Sequence, residues 1–152
     1  MILAKPSNPR FAEEIRSSFA KQGIMRLIGA ELDRVEPGMV EIRLPYRADL
    51  TQQHGYLHAG IVTTIADSAC GYAAFSLMPA DSDVLSVEFK INLLRPAQGQ
   101  NFLARAEVVK SGKTLTVVQA DVFAVSDQGN RLIATMQGTI ICLKKSAPVN
   151  QV

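Results

Sequence analysis

The sequence predicts an α+β fold, an antiparallel sheet of five or six strands around one buried helix, with a second helix at the N-terminus. Three observations predict it. Residues 9–22 repeat apolar side chains at a helical spacing. Residues 60–77 form one apolar stretch long enough for a helix, charged only at Asp67. Most of the remaining chain alternates apolar and polar residues at a period of two, which with segregated helices is an α+β plan.

Taken in order, Pro9 to Gln22 carries Phe11, Ile15 and Phe19 four apart, with Glu13, Glu14, Arg16 and Lys21 on other faces. Gly23 is the expected stop. Ile24 to Ile28 reads as a short helical turn ending at Gly29. Pro37-Gly38 then turns into the alternating run Met39–Leu44. Val84 to Leu94 alternates best, with Leu85, Val87, Phe89, Ile91 and Leu93 on one face. Ser86, Glu88, Lys90 and Asn92 occupy the other. Runs 102–109, 114–125 and 132–143 continue the strand pattern. Turns fall at Pro96–Gly99, Ser111-Gly112 and Asp127–Asn130. The expected order is helix, one or two strands, the buried helix, then four strands in a meander. The apolar segment has few polar positions on any side, so it needs more cover than one sheet face gives. Either the sheet wraps it, or a second subunit covers the rest, or both.

With 152 residues and 47% hydrophobic residues, the chain reads as one globular domain over 1–152, frayed after about 144. The net charge of +2 is spread without a basic block, which argues against a nucleic-acid partner. Lys144-Lys145 reads as solvated tail. Cys70 and Cys142 sit in separate apolar segments and read as reduced core thiols. Pro6 and Pro9 interrupt the N-terminal stretch where a signal peptide needs an apolar run. Leu57 to Ala80 has the length of a membrane span. Asp67, its serines and threonines, and its glycines argue against that use. The expectation is a soluble, cytoplasmic protein without a membrane partner.

With histidines counted as neutral, Asp67 is the one charged side chain between Asp49 and Asp81. A carboxylate in apolar surroundings is costly unless paired or hydrogen-bonded, and such groups concentrate at functional sites. Upstream lies Gln52-Gln53-His54-Gly55-Tyr56-Leu57-His58-Ala59-Gly60, ending where the helix should begin. Unpaired backbone N–H groups point outward there, and small residues let a ligand oxygen approach them. That suits an oxyanion or carbonyl site. Nine positions separate His58 from Asp67, a rise of ~13 Å on a regular helix. The two ends therefore converge on one atom only if they come from different subunits.

Other readings are plainer. Asp67 alone reads also as a buried structural group, and His58 as a helix-start histidine. His54 reads as a loop residue, Tyr56 as packing and Ser86 as an ordinary sheet serine. Two histidines and two separated cysteines make no zinc spacing, so no metal site is expected. There is no nucleophile elbow and no phosphate-binding glycine loop. Ser111-Gly112-Lys113-Thr114 reads as a hairpin turn.

The run Gln52, Gly55, His58-Ala59-Gly60, Ile65 and Asp67 resembles the signature of hotdog-fold acyl-CoA thioesterases of the phenylacetic acid degradation type. These are relatives of the 4-hydroxybenzoyl-CoA thioesterases. The resemblance runs roughly from Phe19 to Leu143. It includes Leu85–Phe89, Leu94–Ala97 and Gly112-Lys113-Thr114. It implies a hotdog fold and hydrolysis of a CoA thioester to free acid and CoA, without a cofactor or metal. It gives Asp67 the role of base or nucleophile, and Ala59 and Gly60 that of oxyanion hole. His58 supports that turn, Gln52 holds the carbonyl or the water, and Ser86 assists. Dimers or dimers of dimers, with sites at subunit interfaces, are implied as well. The sequence departs from the signature at Gln52, where many members have Asn, and at Ala59, where they have Gly.

The same fold also suits a non-catalytic acyl-CoA or acyl-carrier binding protein, and the two departures motivate that alternative. A hydratase or dehydratase places its histidine and acid in a different context. Tyr72 on a later turn of the helix is a candidate lining for an acyl pocket. Arg95, Lys110 and Lys113, with Gly112 and Thr114, are candidates for contacts with CoA.

Overall fold

The structure is a computed structural model that describes residues 5–145. The expected frayed tail after Lys144 lies, but for Lys145, outside the described residues. Helix α1 spans Phe11–Lys21 and buries Ile15. Gly23 does not close it: the break is Gln22, whose backbone is extended, and Gly23 opens α2, Gly23–Ile28. Gly29 ends α2 with φ +76°, the left-handed conformation that favours glycine at this position.

Strands β1, Glu31–Glu36, and β2, Met39–Pro45, form the first antiparallel pair. A short 3-10 turn at Ala48–Leu50 precedes helix α3, Ala59–Phe75. Then come β3, Ser82–Leu93; β4, Asn101–Ser111; β5, Leu115–Ser126; and β6, Gly129–Lys144. They form one six-stranded antiparallel sheet in the order β1-β2-β4-β5-β6-β3. The expected four-strand meander is therefore only partly met. β4 pairs with β2 and β5, which leaves β3 to cross to the far edge beside β6. The turn at Pro96–Gly99 belongs to this crossover. It packs over the loop before α3, where Leu57 N–H donates to Ala97 O at 3.0 Å.

The sheet curls around α3. Val62, Ile65, Ala66, Ala69, Cys70 and Ala73 of the helix are buried. Facing strands contribute Ile42, Phe102, Ala104, Ala106, Val118, Ala120 and Met136. Alanines on both sides let the backbones approach closely, so one helix fills the concave face. The end of α3 is fixed by Ser76, which is fully buried. Its hydroxyl accepts from Gly38 N–H at 2.7 Å and donates to Ala73 O at 2.6 Å. Among the described residues no helix is long and apolar enough to cross a membrane.

Strand β3 is a sheet edge, and it exposes Leu85, Val87, Phe89 and Leu93. An apolar edge with free backbone groups is a template for pairing with another chain.

Candidate active site

Two local structures shape the start of α3. His58 is its N-cap, and Nδ1 accepts from Gly60 N–H at 2.8 Å. A backbone N–H only donates, so Nδ1 is the acceptor of this bond. A Cβ on Gly60 would lie 3.0 Å from that nitrogen. The carbonyl of His58 takes Ile61 N–H and Val62 N–H. Ala59 N–H keeps no partner among the described residues, so at this turn the free amide is Ala59 and not Gly60.

Gln52 stands beside it in a tight loop. Its Oε1 accepts from His54 N–H at 2.6 Å and Tyr56 N–H at 3.3 Å. Gly55 makes the loop possible with φ +81°. The amide oxygen is thus turned inward and Nε2 is left to donate outward.

Asp67 lies eight residues along α3 from Ala59, about 12 Å by helical rise. It is half-buried, and Ser86 Oγ donates to its Oδ1 at 2.7 Å. Oδ2 takes no hydrogen bond among the described residues. Strict alternation puts Ser86 on the polar face of β3 with Glu88, away from the helix. A β-bulge corrects this. Ser86 pairs with the buried Ile140, but Glu88 pairs with Thr139, so the register slips by one residue at Val87. Such a slip moves side chains to the other face. Ser86 joins Phe89, Ile91 and Leu93 on the face toward α3, and Leu85 goes to the outer face.

Two cavities lie along the groove between α3 and β3. One, of about 420 Å³, adjoins the helix start and is lined by Gln52, Tyr56, Ala59, Val62, Leu93 and Arg95, among others. The second, of about 280 Å³, lies past Asp67 toward the end of α3 and is lined by Ser18, Tyr72, Phe75, Asp83, Val84, Leu85 and Leu143. Tyr72 forms a fixed wall of this second cavity. Its hydroxyl takes Gln22 Nε2 at 2.8 Å and meets Ser18 Oγ at 3.1 Å. Arg95 holds the rim of the first, donating through Nη1 to Leu132 O at 2.8 Å.

The other sequence candidates do not gather around Asp67 in one chain. Lys110 is the last residue but one of β4, and Gly112, Lys113 and Thr114 form the turn into β5. Gly112 is required there, because a Cβ would meet Leu115 O at 2.5 Å. Arg95 N–H bonds Ile133 O, at the other end of the sheet. Along β5 the two regions are roughly 23 Å apart at ~3.3 Å per residue. His54 is an exposed loop residue. Gly71, one turn after Asp67, is a position the sequence reading passed over. A glycine inside a helix costs about 1 kcal/mol against alanine.

Cys70 sits one turn from Asp67 and is buried. Burial pushes its thiol up to about 12, and the Asp67 charge adds to the shift. It is no nucleophile at neutral pH.

Comparison with known proteins gives the family. The family model of the thioesterase superfamily matches residues 54–129. The chain is similar to the crystal structure of a thioesterase family protein from Silicibacter pomeroyi. The two share 55% identity over 88% of this chain and 98% of that one, with a TM-score of 0.86. A Halobacterium salinarum protein named as an esterase is 30% identical over 118 residues, 74% of this chain and 78% of that one. The 1,4-dihydroxy-2-naphthoyl-CoA hydrolase of Listeria monocytogenes is 28% identical over 81% of this chain and 98% of that one. A half-buried Asp67 held by Ser86, a free amide at the start of a wrapped helix and these likenesses converge: the chain has the hotdog fold and belongs to the thioesterase superfamily, a family of thioester hydrolases.

Proposed function

We propose that the protein hydrolyses acyl-CoA thioesters at a site shared between two subunits. The observation that carries this is the orientation of Asp67. Ser86 holds one carboxylate oxygen at 2.7 Å and leaves the other without a hydrogen bond among the described residues. In this reading Asp67 is the general base. Water attacks the thioester carbonyl carbon and gives a proton to Oδ2. The oxyanion is met by Ala59 N–H and Gln52 Nε2 of a second subunit. The C–S bond then breaks, and the proton passes from Asp67 to the leaving sulfur. The products are the free acid and the CoA thiol, and no metal or cofactor enters the balance.

Two subunits are required because about 12 Å of helix separates Ala59 from Asp67. The exposed apolar edge β3 supports a second copy, since antiparallel pairing of two such edges is self-complementary. The likeness to a CoA hydrolase supports CoA as the thiol. Arg95 on the rim of the larger cavity offers a cation to its phosphates. Lys110 and Lys113, distant in one chain, would serve only from another subunit. Two free thiols fit a reducing cytoplasm.

The test is a panel of aryl, short-chain and long-chain acyl-CoAs with wild type and Asp67→Asn. Turnover by wild type with loss in the variant is expected. Tight acyl-CoA binding without turnover would instead identify a binding protein, and enoyl-CoA hydration a hydratase.

A further inference from the structure

The turn of α3 before Asp67 carries two threonines, Thr63 and Thr64. Side chains on a helix lean toward its N-terminus, so a residue covers the turn before its own Cα. The carboxylate of Asp67 is thereby carried toward these threonines. Residues three or four apart on a helix have Cβ atoms about 5–6 Å from each other. The two hydroxyls bond the backbone and not Asp67. A separation of that order suits one bridging water held by two hydrogen bonds of ~2.8 Å.

The hydroxyl protons here are already engaged. Thr63 Oγ1 donates to Ala59 O and Thr64 Oγ1 to Gly60 O, at 2.8 Å each. A hydroxyl has one proton and two lone pairs, so each oxygen is left as an acceptor. The Ser86 proton goes to Asp67 Oδ1, and Oδ2 of an ionised carboxylate is again an acceptor. The Thr64 bond is exposed and the Thr63 bond part-buried, so Thr64 is the hydroxyl that a water reaches. A water between Thr64 Oγ1 and Asp67 Oδ2 meets two acceptors and gives one hydrogen to each. Its lone pairs then stay free, as attack on a carbonyl carbon requires. The helix itself does not call for this threonine. A β-branched residue is a weak helix former, and a hydroxyl bonded to the carbonyl four residues back slightly destabilises a helix.

We infer that Thr64 is a catalytic residue that holds the attacking water: its hydroxyl accepts one hydrogen of that water while Asp67 accepts and removes the other. The proton on Asp67 passes to the leaving sulfur. The hydrogen held by Thr64 stays on the oxygen that enters the acid. The inference rests on the acyl-CoA hydrolase reading above.

The experiment compares hydrolysis with methanolysis of one acyl-CoA at a fixed methanol concentration, for wild type, Thr64→Val, Thr64→Ser and Thr63→Val. Methanol has a single O–H. It gives that proton to Asp67 and has none for Thr64, so methanolysis, which yields the methyl ester and the CoA thiol, does not need the threonine. Thr64→Val removes the acceptor and keeps the branched shape. Its kcat for hydrolysis should fall roughly 3- to 10-fold, as for one neutral hydrogen bond, with KM unchanged. The methanolysis-to-hydrolysis ratio should rise by about threefold or more. Thr64→Ser, which keeps the hydroxyl, and Thr63→Val should both match wild type. An unchanged ratio in Thr64→Val, with wild type active, overturns the role of Thr64 and leaves the hydrolase reading intact. So does an equal loss of both reactions, the mark of a structural defect, and so does a ratio that moves in Thr63→Val instead. If wild type hydrolyses no acyl-CoA, the hydrolase reading fails and takes the inference with it.

Discussion

Ser86 Oγ donates a 2.7 Å hydrogen bond to Asp67 Oδ1, and a one-residue bulge in β3 brings the two together. The bond fixes which carboxylate oxygen is left free. Hydrogen bonds to charged groups contribute about 1.5–3 kcal/mol. If the whole effect falls on orientation of the base, Ser86→Ala lowers kcat by roughly 10- to 100-fold at 1.4 kcal/mol per decade. Ser86→Thr, which keeps the hydroxyl, should restore most of it. Steady-state kinetics on one thioester substrate check both variants. Equal kcat for wild type and Ser86→Ala would remove Ser86 from the site.

Asp67→Asn separates chemistry from folding. The amide oxygen still accepts from Ser86, and the side chain keeps its volume in a half-buried position. General base catalysis contributes typically 10²–10⁴-fold, so kcat should fall by about that factor. The melting temperature should stay within a few degrees of wild type. A melting temperature that collapses along with activity would make Asp67 a structural group.

At the helix start, His58 and Gly60 act as one unit. Nδ1 caps Gly60 N–H at 2.8 Å, and losing an N-cap costs about 1 kcal/mol. His58→Ala should therefore lower the melting temperature by roughly 2–4 °C for a chain of this size. His58→Asn, a good N-cap residue, should recover most of that loss. Gly60→Ala puts a Cβ 3.0 Å from Nδ1 and should displace the ring, with a defect at least as large as His58→Ala. Thermal melts of the three variants give the order directly.

Much of this was legible in the sequence, and the limits are physical. The central helix, Asp67 and the His58-Ala59-Gly60 start were visible as an isolated charge and a change of period. Five or six strands followed from alternation, and the structure has six. Strand order did not, because a turn such as Pro96–Gly99 reads alike in a hairpin and in a crossover. The bulge at Val87 was hidden for a related reason. Leu85 to Leu93 alternates without a fault, and the slip is set by pairing with Thr139 and Ile140 on another strand. Hence Ser86 entered by resemblance alone. The occupied Gly60 amide was hidden as well, since only coordinates show that His58 reaches it.

Ser76 predicts a purely structural effect. Its buried hydroxyl is the partner of Gly38 N–H in the turn between β1 and β2. Ser76→Ala leaves that donor unpaired, at about 1–3 kcal/mol. The expected loss is roughly 3–10 °C in melting temperature, with kcat per folded molecule unchanged. A threonine at this site keeps the hydroxyl but adds a methyl to a fully buried position, so it should rescue only in part.

Cys70 predicts a pH effect with a definite sign. Burial holds its thiol protonated up to about 12, against 9.0 as the ordinary value. Between these limits the unfolded chain has lost this proton and the folded chain has kept it. Stability from this group is full below 9.0 and declines as pH rises toward 12. The slope approaches about 1.4 kcal/mol per pH unit. Denaturant titrations from pH 8 to 11 should show this decline in wild type and a shallower one in Cys70→Ala, whatever the offset from the lost packing. In the native protein at pH 8.5, iodoacetamide should modify the half-buried Cys142 first and reach Cys70 only on unfolding. Rapid native labelling of Cys70 would show instead that α3 opens locally beside Asp67.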